Sequence, residues 1–206
     1  MKKVSIIGAT GYAGAELLRI LHNHPEAEVV HITSESHAGE AISDIYPHLK
    51  GIYDQKLMSM KDIETIGQDS DFVFIGLPHG HAMKVGKALE NMPTRIIDLG
   101  ADYRFNNTDI YEAWYKVPHT HKDAPRVYGL AELNREQIKD AKIIGNAGCY
   151  TTASILALAP LAKHHLIDVN TIIIDAKSGV SGAGRSAKQA NHFPELYDSF
   201  KAYGVA

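Results

Sequence analysis

Cys149 is the strongest candidate for a nucleophile in this sequence. It lies in a glycine-containing turn, residues 145–150, between a short apolar stretch that predicts a strand and a segment, 151–164, that predicts a helix. A helix N-terminus stabilises a thiolate, which is the nucleophilic form of cysteine. A buried, unreactive cysteine is the common alternative. The position at the carboxyl end of a strand favours the nucleophile.

A second chemical feature is the glycine-rich stretch at residues 8–14, GATGYAG, between the first predicted strand and the first predicted helix. In a dinucleotide-binding turn, Gly8 permits the tight turn, Gly11 lets the backbone approach a pyrophosphate and Gly14 allows close packing of helix on strand. The N–H groups of the helix then face the phosphates. The candidate cofactor-binding residues of this turn are Gly8, Thr10, Gly11, Tyr12, Ala13 and Gly14.

The residues after the second predicted strand, 33–37, bear on the choice between NAD and NADP. An acidic residue at this point binds the ribose 2′-hydroxyl of NAD. Ser34 and Ser36 carry hydroxyl groups suited to the 2′-phosphate of NADP, whereas Glu35 would repel that phosphate if it pointed inward. These residues alone leave the choice open.

Three further features are weaker candidates. The loop at residues 177–186, KSGVSGAGRS, could bind a phosphate or lie against a nicotinamide ring, or could be an ordinary flexible loop. Arg104 and Arg185 could bind an anion or form surface ion pairs. The paired histidines, such as His79 and His81, lack a third ligand at metal-site spacing, so we predict no metal site.

The elements that must position these residues alternate along the chain. Apolar strands are predicted at 4–8, 29–34, 72–77, 95–99, 142–145 and 171–176. Helices are predicted at 13–24, 81–90, 134–142, with Asn134 and Gln137 as a capping box, and 151–164. The stretch 103–125 shows no periodicity and is predicted to be irregular. Apolar strands that alternate with helices indicate an α/β fold, a Rossmann-type doubly wound parallel sheet, followed by the start of an α+β catalytic or dimerisation domain.

Composition excludes several classes of protein. The 206 residues are 45% hydrophobic and 22% charged, with a net charge of -3. The charge argues against nucleic acid or an anionic membrane as a partner. No apolar run approaches the ~20 residues of a membrane span, and the apolar start is too short for a signal peptide. A single cysteine allows no intrachain disulfide, so we expect a cytoplasmic protein.

Taken together, the motifs resemble the N-acetyl-gamma-glutamyl-phosphate reductase family of the semialdehyde dehydrogenase superfamily. The matching stretches extend along nearly the whole chain and are residues 8–17, 77–80, 97–104, 128–130, 148–150 and 175–184. The last stretch is very specific, whereas the first is shared with many dehydrogenases.

The resemblance implies NADPH-dependent reduction of an acyl phosphate to an aldehyde in arginine biosynthesis, with release of phosphate. Cys149 would attack the acyl phosphate and form a thioacyl intermediate, which hydride from NADPH would reduce. Besides the glycine-rich turn, the assigned cofactor-binding residues are Ser34, Ser36, Pro78, Ser178, Gly179, Ser181 and Gly182. The assigned substrate-binding residues are Arg104, Asn146, Ser181 and Arg185.

The resemblance also sets the expected organisation. We predict an NADP-binding domain at 1–148, the N-terminal part of a catalytic and substrate domain at 149–206, and a homo-oligomer, dimer or tetramer. Family members are longer and carry their acid/base histidine after the equivalent of residues 203–205, so we expect a truncated chain that is a poor catalyst by itself. The family usually has Pro where Ala147 stands, and often Arg where Glu35 stands.

Two other functions stay open at this point. An enzyme like aspartate-semialdehyde dehydrogenase would share the nucleotide turn, the cysteine and the mechanism, although residues 148–150 and 178–184 favour the glutamyl member. A non-catalytic NADP-binding module would use the glycine-rich turn and no thiol. An acyl phosphate would protect Cys149 from an alkylating reagent in either enzyme but not in the binding module, so this protection distinguishes the two classes of function.

Overall fold

A computed structural model describes residues 1–202, which contain six β-strands and eight α-helices. The strands are β1 Lys2–Ile7, β2 Ala27–Thr33, β3 Phe72–Ile75, β4 Arg95–Asp98, β5 Arg126–Gly129 and β6 Ile143–Asn146. The helices are α1 Tyr12–His22, α2 Ile42–Ile45, α3 Ile63–Asp69, α4 Ala82–Ala88, α5 Thr108–Tyr115, α6 Ala131–Asp140, α7 Cys149–Lys163 and α8 Phe193–Leu196. Residues 203–205, after whose equivalent the family carries its acid/base histidine, lie outside the described residues.

The strands form one parallel sheet in the order β2-β1-β3-β4-β6-β5. The chain passes from β1 to β2 on one side and then returns to place β3 on the other side of β1. Ligands of open α/β sheets bind at this kind of reversal, beyond the carboxyl ends of the strands. The glycine-rich turn follows β1 and therefore lies at the reversal.

Both faces of the sheet are covered, which explains why the strands read as continuous apolar runs. Ile6 of β1 packs with Leu18 of α1 on one face. Its neighbour Ile7 points to the other face and packs with Ile66 of α3 and Val85 of α4. Alternation along each strand thus fills two cores, and the predicted Rossmann-type doubly wound fold is confirmed.

The chain divides into two compact units, residues 1–174 and residues 175–206. The first contains the sheet and helices α1 to α7. Within the second, the described residues form two 3-10 helices, Val180–Ala183 and Gln189–Asn191, and the short helix α8. Among the helices of residues 1–202, none is long and apolar enough to cross a membrane.

The prediction of a strand at residues 171–176 is wrong. Val169–Thr171 is a 3-10 helix, and the residues after it belong to no strand. The side chain of Ile173 is 92% exposed. No strand pairs with this segment within residues 1–202, so its backbone groups have no ladder to join. An apolar run indicates burial or a binding surface, but a strand also requires a neighbour.

Other predicted boundaries also differ from the structure. The stretch 103–125, predicted to be irregular, contains α5, and the structure adds α3 and β5, which the sequence pattern did not predict. The helix predicted to open at Asn134 lies within α6, which begins at Ala131 and kinks at Asn134, where φ is −117° and ψ is 23°. The Asn134 side chain does not form the predicted capping box, since its Nδ2 donates to the Tyr128 carbonyl at 3.0 Å. Short amphipathic segments are set by their tertiary partners more than by local pattern.

Candidate active site

The glycine-rich turn is closed by backbone contacts that only glycine permits. Gly8 has φ +83°, and a Cβ there would lie 2.6 Å from the Gly76 carbonyl oxygen. A Cβ at Gly14 would lie 2.6 Å from the Gly8 carbonyl oxygen, inside the first turn of α1. The turn therefore holds β1, α1 and the segment after β3 at van der Waals distance.

The N-terminus of α1 is open to an anion. Its N-cap, Gly11, provides no side-chain cap, and the first turn has no acidic residue. The first N–H groups of a helix lack intrahelical acceptors and carry the positive end of the helix dipole. The uncapped N–H groups of this turn leave room for an anion, and the assignment of Tyr12 and Ala13 to a pyrophosphate stays a prediction.

Three hydroxyl groups lie next to this turn. The Thr10 and Ser34 hydroxyl oxygens are 2.9 Å apart, and those of Ser34 and Ser36 are 3.4 Å apart. The Glu35 carboxylate accepts the Met60 N–H at 2.6 Å. The one acidic side chain in this stretch is thus bonded to a neighbouring loop, while the hydroxyl groups cluster beside the glycine-rich turn.

The loop after β3 lies beside the glycine-rich turn. A Cβ at Gly8 would lie 3.3 Å from Leu77 Cδ2, the residue before Pro78. The next residue, His79, packs edge-on against Tyr115 with ring centroids 4.8 Å apart. Desolvation and the nearby Arg104 charge lower the pKa of His79, and the Asp102 charge opposes them. The net lowering favours a neutral ring. Leu77, which precedes Pro78, thus lies against the glycine-rich turn, and the role of Pro78 in cofactor binding stays a prediction.

Cys149 is the first residue of α7, and it is exposed. The N-cap is Gly148, which has no side-chain cap, and no acidic residue lies in the first turn. The Gly148 carbonyl accepts the Thr152 N–H at 2.8 Å and so begins the helix. The thiol therefore stands at the positive end of a 15-residue helix, as the sequence predicts.

Arg104 lies against the turn that carries Cys149. Its Nε donates to the Asn146 carbonyl at 2.8 Å, and its Nη2 donates to the Leu99 carbonyl at 3.2 Å. A Cβ at Gly148 would lie 3.1 Å from Arg104 Nη1. The alternative of a surface ion pair is wrong, because no carboxylate of residues 1–202 lies within 4.0 Å of this guanidinium.

Two buried carboxylates beside this site were not singled out as candidates from the sequence. Asp102 accepts the N–H groups of Gly80 at 2.8 Å and Ala82 at 2.9 Å, and the Tyr111 hydroxyl at 2.8 Å. It therefore ties the start of α4 to α5. Asp98 ends β4 and is fully buried. A carboxylate that interrupts an apolar strand, as in Ile96-Ile97-Asp98, was the available signal.

The remaining predicted site residues belong to the second compact unit, which the structure describes separately. There the Ser178 hydroxyl donates to the Gly179 carbonyl at 3.0 Å, before the 3-10 helix that contains Ser181 and Gly182. Arg185 follows in the same unit. The structure groups these residues in one loop, and their contacts with cofactor or substrate stay predictions. Among residues 1–202, no group of three or more side chains could hold a metal ion.

The buried side chain of His119 forms a hydrogen bond with the backbone of Asp102. His119 Nε2 lies 2.8 Å from the Asp102 carbonyl oxygen and 3.0 Å from Arg126 Nη1, and His119 Nδ1 accepts the His121 N–H at 3.2 Å. In the neutral ring Nε2 therefore carries the proton and donates it to the Asp102 carbonyl. Burial, with the nearby Arg126 charge, lowers the pKa of His119 below its ordinary 6.5, against the smaller effect of the Asp102 carbonyl and charge.

We expect His119 to make the stability of the first unit depend on pH. The unfolded state binds more protons than the folded state between the lowered pKa and 6.5, so stability falls as pH falls through this range. Urea unfolding of the wild type and His119→Gln measures this, because glutamine can make both hydrogen bonds without titrating. The free-energy advantage of the wild type should shrink from about pH 8 to about pH 5.5. A constant advantage would show that His119 does not titrate there. Asp98 has a raised pKa, which makes stability rise as pH falls. Because Asp98 is present in both the wild type and His119→Gln, its contribution cancels in the difference between them.

The fold and the open glycine-rich turn define a dinucleotide-binding domain, and comparison with known families specifies it further. Residues 3–141 match the family described as semialdehyde dehydrogenase, NAD binding domain. Residues 149–206 match the family described as semialdehyde dehydrogenase, dimerisation domain. The chain belongs to the semialdehyde dehydrogenase family, which confirms the resemblance seen in its motifs.

Curated relatives with the name N-acetyl-gamma-glutamyl-phosphate reductase are similar to this chain along its length. The Pelotomaculum thermopropionicum protein is 52% identical over 206 residues, which is 99% of this chain and 59% of that protein. The Moorella thermoacetica protein is 50% identical over 208 residues, which is 100% of this chain and 60% of that protein. The chain thus spans about three fifths of the length of these relatives.

Solved structures with the same fold include two aspartate semialdehyde dehydrogenases. The Candida albicans enzyme, crystallised with NADP, is 21% identical with a TM-score of 0.58, over 79% of this chain and 47% of its own. The Vibrio cholerae enzyme II is 18% identical with a TM-score of 0.57, over 79% of this chain and 47% of its own. At this identity the likeness supports the fold.

Proposed function

We propose that this chain carries the cofactor-binding and nucleophilic parts of an NADPH-dependent reductase that converts N-acetyl-gamma-glutamyl phosphate to the semialdehyde and phosphate. One observation carries the proposal: an exposed cysteine begins α7, and the Arg104 guanidinium lies against the residue before it. The names of the relatives supply the substrate.

Each residue of the site has a role in this reaction. The Cys149 thiolate attacks the acyl carbon, the carbon–oxygen bond to phosphate breaks, and phosphate leaves with the electron pair. The positive Arg104 guanidinium attracts the phosphate and stabilises its departing charge. The Asn146 carbonyl holds Arg104 in place through its hydrogen bond to Nε. NADPH, when bound at the glycine-rich turn, supplies the hydride that reduces the thioester to the aldehyde.

We propose NADP rather than NAD as the cofactor, on the basis of the hydroxyl cluster. A 2′-phosphate beside Ser34 and Ser36 would meet hydroxyl donors, and the Glu35 carboxylate is bonded to the Met60 N–H instead of pointing to the ribose. The helix N-terminus fits the pyrophosphate of either cofactor. The discrimination therefore depends on the hydroxyl groups.

We expect NADPH to bind more tightly than NADH, and Ser34→Ala to reduce this difference at least about tenfold, because each hydrogen bond to a charged group contributes about 1.5–3 kcal/mol. Fluorescence titration with both cofactors measures the ratio of the two dissociation constants. The matched control is Glu35→Gln, which keeps the bond to Met60 and should leave the ratio within about twofold. A large gain in NADPH preference in the control would show that Glu35 faces the ribose.

The assembly and location of the protein are proposals as well. We propose a homodimer or homotetramer, supported by the match of residues 149–206 to a dimerisation domain. We place the activity in the cytoplasm, because a chain with a single cysteine forms no intrachain disulfide and the cytosol keeps thiols reduced. Small molecules, an acyl phosphate and its semialdehyde, are the proposed ligands.

A further inference from the structure

Asp98 is a buried carboxylate that the proposed chemistry does not use. It ends β4, the strand between β3 and β6, and its side chain has no exposed surface. Its Oδ1 accepts the Gly100 N–H at 2.9 Å, and the Tyr103 N–H also points to the carboxylate. Its Oδ2 is buried without a hydrogen-bond partner. A buried carboxylate with an unpaired oxygen is unfavourable, so its presence calls for a role.

The segment that Asp98 binds leads directly to Arg104. Residues 99–104 leave the end of β4 and cross the end of β6. A Cβ at Gly145 would lie 2.0 Å from the Tyr103 carbonyl oxygen and 2.8 Å from the Arg104 nitrogen, so the segment lies on the strand backbone. The segment is therefore held from one side by the Asp98 carboxylate and from the other by contact with Gly145.

Hydrogen bonds within this segment fix the position of the Arg104 guanidinium. Arg104 N–H donates to the Ala101 carbonyl at 3.2 Å, and its Nη2 donates to the Leu99 carbonyl at 3.2 Å. Two of the atoms that orient Arg104 thus belong to the turn that Asp98 closes. Loss of the Asp98 acceptor would release the Gly100 and Tyr103 N–H groups and let the guanidinium move from Gly148.

We propose that Asp98 is a positioning residue that fixes the turn 99–104 and thereby sets the Arg104 charge beside Cys149. The proposal rests on the proposed function in that it assigns Arg104 to the anionic group of the substrate. It differs from a direct electrostatic role. If Asp98 acted on Cys149 through its own negative charge, its removal would make the site more attractive to anions, whereas the loss of positioning makes it less attractive.

Alkylation of Cys149 separates these two roles. The chain has one cysteine, so the rates of reaction with iodoacetate and iodoacetamide report on a single site, and their ratio measures the local preference for an anion. We expect Arg104→Gln to lower this ratio about fivefold, since two unit charges about 4 Å apart in water interact by about 1 kcal/mol. Asp98→Ala should lower it by a similar factor. Asp98→Asn, which retains an acceptor oxygen, should keep the wild-type ratio.

The matched control is Asp54→Ala, which removes a carboxylate that accepts the Gly51 N–H in an exposed turn of the same unit. It should leave the ratio unchanged. If Asp98→Ala does not fold, Asp98→Ser replaces it, because its shorter side chain does not reach both N–H groups. An unchanged or raised ratio in Asp98→Ala, or in Asp98→Ser where that variant replaces it, overturns the proposal, as does failure of both Asp98→Asn and Asp98→Ser to fold. If Arg104→Gln lowers the ratio in those cases, the proposed function survives. If Arg104→Gln also has no effect, the anion site fails with it.

Discussion

In a version of the protein extended to the length of its curated relatives, replacement of Cys149 by serine should reduce reductase turnover at least about 1,000-fold, while NADPH affinity stays within about twofold. The hydroxyl of serine has a far higher pKa than a thiol, and an un-ionised alcohol is a weak nucleophile at neutral pH. The substitution is nearly isosteric at an exposed first helical position, so the fold should be retained.

Two measurements check this expectation. Turnover is followed as phosphate-dependent oxidation of N-acetylglutamate semialdehyde with NADP, and acylation is followed by the intact mass of the protein after mixing with the acyl phosphate. The wild type should gain one acyl group and Cys149→Ser none. The control Tyr150→Phe changes the next residue and should retain acylation. Wild-type turnover by Cys149→Ser would show that the reaction has no thioacyl intermediate.

Gly8→Ala should destabilise the first unit by at least about 2 kcal/mol, since strained backbone conformations contribute about 1–3 kcal/mol each and a steric clash adds to this. Gly8 has φ +83°, and the new Cβ would lie 2.6 Å from the Gly76 carbonyl oxygen and 3.1 Å from its carbon. Both are backbone atoms of the segment after β3, so neither can rotate away. The turn would open, and NADPH affinity would fall as well. Urea unfolding measures the shift in midpoint.

Two other glycines separate the causes of that effect. Gly39 has φ +90° with no atom near its Cβ position, so Gly39→Ala introduces the backbone strain without the clash. Gly11 has an ordinary φ and only a 3.5 Å contact, so Gly11→Ala should destabilise by no more than the ~1 kcal/mol that alanine costs at an N-cap. Equal destabilisation by Gly8→Ala and Gly39→Ala would mean that the contact with Gly76 is unimportant.

Much of the fold could be predicted from the sequence, because its strands are buried on both faces. Apolar runs such as Val4–Ile7 and Phe72–Ile75 appear directly in the residue pattern, and the glycines between β1 and α1 mark a turn that few other residues permit. Their order along the chain was sufficient to predict a doubly wound sheet. The pattern was not sufficient for segment 171–176, where apolar residues are exposed and unpaired.

Some residues of the candidate site could likewise be predicted from the sequence, and others could not. Gly8, Gly14 and Cys149 could be selected by residue type and neighbours, since backbone conformation and the start of a helix are local properties. The role of Glu35 could not be assigned from the sequence, because its bond to Met60 joins residues that are 25 positions apart. Arg104 was one of two equivalent arginines until the structure placed it against Gly148. Asp98 had no visible partner at all, because its partners are backbone N–H groups that only the folded turn brings to its carboxylate. Local conformation was thus determined by the sequence itself, whereas charge placement was decided by the tertiary structure, because contacts between distant segments depend on how the sheet brings their ends together.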